Sequence, residues 1–201
     1  MIAIIDYGMG NIHSVRKALE SCGGKVKVAQ EAKDIESAEK IVLPGVGAFG
    51  DARAELEKRK LKGAILKSIK SQVPFLGICL GLQLLFARSE ENRDVKGLGV
   101  FDGAVKRFPK KEDIKIPHIG WNQLKKNGNC LLLEGVEDNS YVYFCHSYYP
   151  KPKEKALIGA STNYGIDFPA LVFKGSVFGV QFHPEKSQKV GLRILKNFVE
   201  M

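Results

Sequence analysis

No stretch of this 201-residue sequence stays apolar long enough to cross a bilayer as a helix. The longest apolar run, near residues 73–87, is broken by Pro74, Gln83 and two glycines. Cysteine is sparse. Cys22, Cys79, Cys130 and Cys145 form no C-x-x-C pair and no metal-ligand spacing, which argues against a zinc site and leaves free thiols in a reducing compartment. The opening residues, Met1 to Asp6, lack the basic region of a signal peptide, so a cytoplasmic protein without a membrane partner is expected. Repeats, low-complexity tracts and interdomain linkers are missing as well. One domain over residues 1–201 is expected, large enough for a substantial core. Acidic residues are in deficit, 22 against 31 lysines and arginines, for a net charge of +9. The bases are dispersed among acids, as in Glu55-Leu56-Glu57-Lys58-Arg59-Lys60, and no nucleic-acid motif accompanies them. The excess therefore reads as a solvated lysine-rich surface, suited to an acidic partner face rather than to nucleic acid.

The first half alternates short apolar runs with helical periodicity. Strands are predicted at Ile2–Asp6, Lys25–Ala29, Lys40–Leu43 and 75–78. Asn11 is a plausible N-cap for a helix to about Cys22, stopped by Gly23-Gly24, and a helical pattern covers roughly 48–71. Strands alternating with helices predict an α/β fold with a mostly parallel central sheet and helices on both faces. The second half predicts strands around 100–108, 114–124, 130–133, 141–148, 156–162, 168–174 and 177–182, an antiparallel β extension, and a closing helix from about Ser187. Lys151-Pro152-Lys153-Glu154-Lys155 reads as a surface loop, and Cys22, Cys130 and Cys145 as packing residues.

The run Val73-Pro74-Phe75-Leu76-Gly77-Ile78-Cys79-Leu80-Gly81-Leu82-Gln83 predicts a buried strand, a sharp turn and a helix. A nucleophile on such a turn projects at the strand's carboxyl end, with the N–H groups that open the helix aimed at what it attacks. Flanking glycines permit the strained backbone, and a helix N-terminus favours thiolate. A buried core cysteine would fit the same run.

Gln181-Phe182-His183-Pro184-Glu185 closes another strand-like segment. If His183 and Glu185 remain extended, a period of two aims both at one face, as an imidazole oriented by a carboxylate. Singly each reads as a surface group. Together, and with an elbow cysteine elsewhere, they read as a relay. His146, in the aromatic strand around Tyr143, competes for the role of base but has no close acidic neighbour. Pro44-Gly45-Val46-Gly47 ends a strand where Cys79 should emerge and could present N–H groups to an oxyanion, or could be a plain turn. Tyr7-Gly8-Met9-Gly10-Asn11 is no dinucleotide fingerprint, because His13 stands where the third glycine belongs. No cofactor or metal is expected.

Gly-Ile-Cys-Leu-Gly-Leu-Gln at 77–83 with Phe-His-Pro-Glu at 182–185 resembles the class I, triad-type glutamine amidotransferases. Asp6-Tyr7-Gly8-Met9-Gly10-Asn11, Pro44 to Phe49, Pro117-His118-Ile119-Gly120-Trp121-Asn122, His146-Ser147-Tyr148-Tyr149 and Lys186-Ser187 narrow the resemblance to the glutaminase subunits of imidazole glycerol phosphate synthases. It runs the whole length, with Leu82 where methionine is common. The resemblance implies a flavodoxin-like sheet and hydrolysis of glutamine by Cys79, His183 and Glu185, with the N–H groups of Val46 and Leu80 as the oxyanion hole. It further implies that Gly45, Gly47, Gln83, Glu91, His146, Ser147 and Tyr148 form the glutamine site and that the Gly45–Val46 peptide reorients. Lacking a P-loop or second domain to use ammonia, the chain is expected to pair as a heterodimer with a (β/α)8-barrel cyclase subunit, through Asn11, His118, Trp121, Tyr143 and Lys186. Rival readings are an amidotransferase of another pathway, a peptidase- or deglycase-like elbow-cysteine enzyme without the His-Pro-Glu run, and a non-enzymatic module.

Overall fold

The computed structural model describes residues 1–110 and 114–201. In chain order the first half carries β1 (Ile2–Ile5), α1 (Ile12–Ser21), β2 (Val26–Ala29), α2 (Ala32–Glu36), β3 (Lys40–Gly45), α3 (Phe49–Lys58), α4 (Lys62–Lys70), β4 (Phe75–Cys79) and α5 (Leu80–Leu84). The second half carries β5 (Gly103–Arg107), β6 (His118–Lys126), β7 (Ser140–His146), β8 (Tyr148–Pro152), β9 (Ile158–Asn163), β10 (Asp167–Lys174), β11 (Val177–Val180) and α6 (Gln188–Glu200).

One nine-stranded sheet has the order β2-β1-β3-β4-β11-β10-β9-β6-β7, and β5 pairs with β8 apart from it. The run β2-β1-β3-β4-β11 is parallel throughout. Counting β11 as the fifth strand, this is the flavodoxin-like order, whose ligands sit beyond the strands' carboxyl ends near the switch point. From β10 outward every pairing is antiparallel, so the expected extension continues the same sheet.

The unbroken apolar strands are buried on both faces. Ile2 and Ile4 of β1 join Val42, Leu76 and Ile78 against α1 and α6, while Ala3 and Ile5 join Ile41, Leu43 and Phe75 against α2, α3 and α4. This is the period of two applied to strands with no wet face. In α6, Gly191, Ile194, Leu195 and Phe198 lie inward at helical spacing. Burying Phe198 alone contributes on the order of 1.5–3 kcal/mol.

The structure corrects several expectations. The helical pattern at 48–71 is two helices, because Lys60 takes a left-handed φ of 57° and Leu61 begins anew. Residues 130–133 hold a 3-10 turn, Leu131–Leu133, instead of a strand, with the consecutive Leu132 and Leu133 both buried and Leu131 exposed. Lys151 and Pro152 belong to β8 instead of a loop. Helix α2 escaped notice because it is short and buries just Ile35. The helix after Cys79 is a five-residue turn, so its macrodipole is slight and its first N–H groups matter chiefly by position. Among the described residues no helix is long and apolar enough to cross a membrane.

Candidate active site

Registry builds the site. Gly45 of β3 lies opposite Cys79 of β4, and Val180 of β11 opposite Ile78, so three strands end side by side on one edge. Beyond that edge lies a cavity of about 310 Å³ lined by Cys79, Leu80, Val46, Gln83, His146 and His183 among others.

Cys79 has φ 53° and ψ −107°, a conformation that costs a non-glycine residue of order 1–3 kcal/mol. The surroundings impose it. At Gly81 a Cβ would fall on the carbonyl oxygen of Leu43, and at Gly45 it would lie 2.5 Å from the Tyr7 hydroxyl and 2.9 Å from Leu80 Cβ. Packing of three chain segments without side chains between them holds the elbow.

His183 is buried, and its Nδ1 lies 2.8 Å from Oε1 of Glu185, whose side chain is 1% exposed. The pair does not meet by strand alternation. Pro184 to Lys186 form a 3-10 turn, and Glu185 curls back under the ring. Three bonds fasten this turn: His183 N–H donates to the Tyr143 carbonyl at 2.9 Å, and Ser187 Oγ donates to the His183 carbonyl at 2.6 Å while accepting from Tyr143 N–H at 3.0 Å. Burial works against a charged ring more than any other single influence. Hydrogen bonds with Cys79 and Glu185, and their negative charges, together outweigh it and raise His183 above the usual imidazole range.

His146 differs. Its Nδ1 lies 2.7 Å from the Tyr148 carbonyl oxygen, which can only accept, so Nδ1 carries the proton and Nε2 is an acceptor. His118 Nδ1, 3.1 Å away, therefore donates to it, and His118 Nε2 accepts from Asn122 Nδ2 at 3.3 Å. Both rings are neutral: burial lowers His118 to about 4, and burial, outweighing the bond to the Tyr148 carbonyl that favours a charged ring, takes His146 to about 3. His146 has no carboxylate beside it, and its free lone pair is occupied.

Val46, Leu80, Gly47, Gln83, Glu91, His146, Ser147 and Tyr148 all line the cavity, whereas Gly45 is buried behind it. Glu91 accepts from Phe49 N–H at 2.9 Å, so its carboxylate also serves the start of α3. Lys186 lines the mouth, its Nζ 5.7 Å from the centre of the Tyr143 ring, and that ring meets Trp121 edge-on at 5.9 Å. Trp121 is 45% exposed and Asn11 is exposed while capping α1. His118, expected at a partner face, is instead 3% exposed and stacked between Phe144 and Tyr164. Cys145, expected in packing, is exposed at the cavity.

Two residues escaped sequence reasoning. Gln181 is fully buried and donates from Nε2 to Cys79 Sγ at 3.6 Å; a lone amide in an apolar strand run was the available signal. The Tyr7 hydroxyl is buried against Gly45, is raised by burial and by the charge of Cys79, and has no hydrogen-bond partner among the described residues.

The sequence matches the class-I glutamine amidotransferase family over residues 3–201. It is similar to the imidazole glycerol phosphate synthase subunit HisH of Methanocaldococcus jannaschii, 49% identical over 201 residues with all of both chains covered. It is 50% identical over 201 residues to the subunit of that name from Caldanaerobacter subterraneus subsp. tengcongensis, covering 100% of this chain and 98% of the relative. Among solved structures, PurLQS from Thermotoga maritima superposes with a TM-score of 0.78 at 19% identity, covering 99% and 97% of the two chains. The glutaminase domain of Trypanosoma brucei CTPS superposes at 0.69 and 17% identity, covering 99% and 93%; at such identities the likeness is one of fold.

Proposed function

The chain belongs to the class-I glutamine amidotransferase family, and on that premise we propose that it is the glutaminase subunit of imidazole glycerol phosphate synthase, a single amidotransferase domain over residues 1–201. The observation that carries the chemistry is the 2.8 Å His183–Glu185 pair facing Cys79 on its strained elbow across one cavity.

Cys79 Sγ, its proton already passed to His183, attacks the carboxamide carbon of glutamine. Negative charge on the carboxamide oxygen is taken by the N–H groups of Val46 and Leu80, both at the cavity wall. His183 then protonates the nitrogen, the C–N bond breaks, and ammonia leaves a thioester. Water, losing its proton to the same imidazole, cleaves the thioester to glutamate. Glu185 holds the ring and stabilises the imidazolium at both stages. Glu91 suits the ammonium of glutamine, with Gly47, Gln83, Ser147 and Tyr148 around its backbone groups and His146 as a neutral wall. Reorientation of the Gly45–Val46 peptide completes the oxyanion hole, and a missing donor costs roughly 10²–10³ in turnover, enough to keep the lone subunit quiet.

The ammonia serves a (β/α)8-barrel cyclase subunit in the cytoplasm, which makes imidazole glycerol phosphate and the aminoimidazole carboxamide ribotide of histidine biosynthesis. The docking face holds Trp121, Tyr143, Lys186 and Asn11. Exposed aromatic area beside a cation supports this face. Glutamate release, measured with and without the cyclase and its nucleotide ligand, should be weak alone and strongly stimulated in the complex. Cys79→Ser should abolish it while ammonium-dependent synthesis by the complex survives. Glutamate release by Cys79→Ser would refute the reading, and co-purification with a different synthase would reassign the pathway.

A further inference from the structure

Gln181 has no part in the chemistry above, yet it is fully buried and its amide nitrogen lies 3.6 Å from the reacting sulfur. Which end of a buried amide faces a sulfur is normally ambiguous. Here the surroundings decide it. The Tyr148 carbonyl oxygen can only accept, so the Gln83 atom 3.1 Å from it is the Nε2 donor. That same Nε2 lies 3.1 Å from Gln181, so the Gln181 atom there must be its oxygen. The remaining end, facing Cys79, is therefore N–H. The main chain of Gln181 is pinned as well, its N–H donating to the Ala170 carbonyl at 2.8 Å.

We propose that Gln181 is a positioning residue that keeps an N–H donor aimed at the Cys79 sulfur, stabilising it as thiolate and holding it on the cavity floor, with Gln83 and the Tyr148 carbonyl setting the direction of that donor. The inference rests on the reading of Cys79 as nucleophile. Its geometric basis is a buried three-member relay that ends on a reacting atom and has one consistent polarity. A donor to a charged acceptor is worth more than one between neutral groups. The titratable groups that also face Cys79 are His183, backed by Glu185, and Lys186 from the turn, His146 and Cys145 from β7, the Cys145 carbonyl oxygen lying 3.9 Å from Sγ, Tyr7 after β1 and Glu91. The substitution leaves all of these side chains in place, so their influence on Cys79 is common to the parent protein and the variant.

The test is the pH dependence of Cys79 alkylation by iodoacetamide in the full-length protein without substrate, followed at the Cys79 peptide by mass spectrometry. In Gln181→Met, which keeps size and removes the donor, the midpoint should rise by about one unit, so that alkylation near pH 7 slows about ten-fold. Turnover in the cyclase complex should fall with it, with KM changing less. Gln83→Met, which frees Gln181 to rotate, should shift the midpoint the same way by less, and the double variant should match Gln181→Met alone. A Gln181→Met profile superimposable on that of the parent protein overturns the proposal, whatever happens to thermal stability. Should that variant not fold, an unshifted profile in Gln83→Met does the same. Neither result touches the glutaminase reading, which stands or falls on Cys79→Ser.

Discussion

Nδ1 of His183 and Oε1 of Glu185 are 2.8 Å apart, and the 3-10 turn between them brings this about, not extended chain. The carboxylate therefore reaches the ring from within its own loop. Replacing it by an amide, Glu185→Gln, keeps the shape but removes the charge that supports the imidazolium. Glutamate release should fall by roughly 10²–10⁴-fold. The raised His183 pKa should drop toward the ordinary range, which NMR titration of the ring would detect.

The loop itself depends on Ser187, whose hydroxyl donates to the His183 carbonyl and accepts from Tyr143 N–H. Ser187→Ala should cost about 1–2 kcal/mol of stability. It should lower turnover about ten-fold by loosening the base, since small misplacements at a reacting centre are expensive. Equal turnover per folded molecule would show that the turn holds without this hydroxyl.

At position 79 the backbone favours glycine. With φ at 53° and ψ at −107°, the usual order of stability, alanine above glycine, should invert. Cys79→Gly should be more stable than Cys79→Ala by about 1 kcal/mol in urea unfolding, and both should be inactive. The ordinary order would mean that the elbow stores no strain.

Acid should weaken the fold through His118 and His146. Both are neutral when folded, with values lowered to about 4 and about 3 from 6.5. The unfolded chain thus takes up protons first as pH falls. The stability these rings confer is fully present above pH 6.5 and is lost on descending toward pH 3–4, with a slope of up to about 1.4 kcal/mol per pH unit for each ring. His118→Phe, which keeps an aromatic ring between Phe144 and Tyr164, should flatten that slope in denaturant titrations from pH 7 to pH 4. An unchanged slope would place the acid sensitivity elsewhere.

Local signals carried far in this chain. Asn11 caps α1 through its side chain, 3.2 Å from Ser14 N–H, as its residue type predicted. The apolar runs at β1, β3 and β4 are the buried parallel strands they were read as, since nothing but burial on both faces tolerates such sequences. Signals that depend on neighbours far along the chain did not carry. The break at Lys60 lies inside one continuous helical periodicity. Leu131 to Leu133 read as a short apolar strand, yet the backbone is a 3-10 turn that buries Leu132 and Leu133 and leaves Leu131 exposed. His118 is expected at the partner face with the rest of the interface set, and its local sequence shows none of the rings that stack on it.

The order of residues alone determined which atoms are available for chemistry: a cysteine between glycines after an apolar strand, and a histidine two places from a glutamate with proline between. It also determined the alternation that makes a parallel sheet. Tertiary structure decided the rest. It brought Glu185 onto the His183 ring through a 3-10 turn, sank His118 into an aromatic stack, and turned a strand amide, Gln181, toward sulfur. The physical reason is that donor direction, burial and charge are properties of what surrounds a group, and here those surroundings come from strands separated by up to a hundred residues that the sheet sets edge to edge.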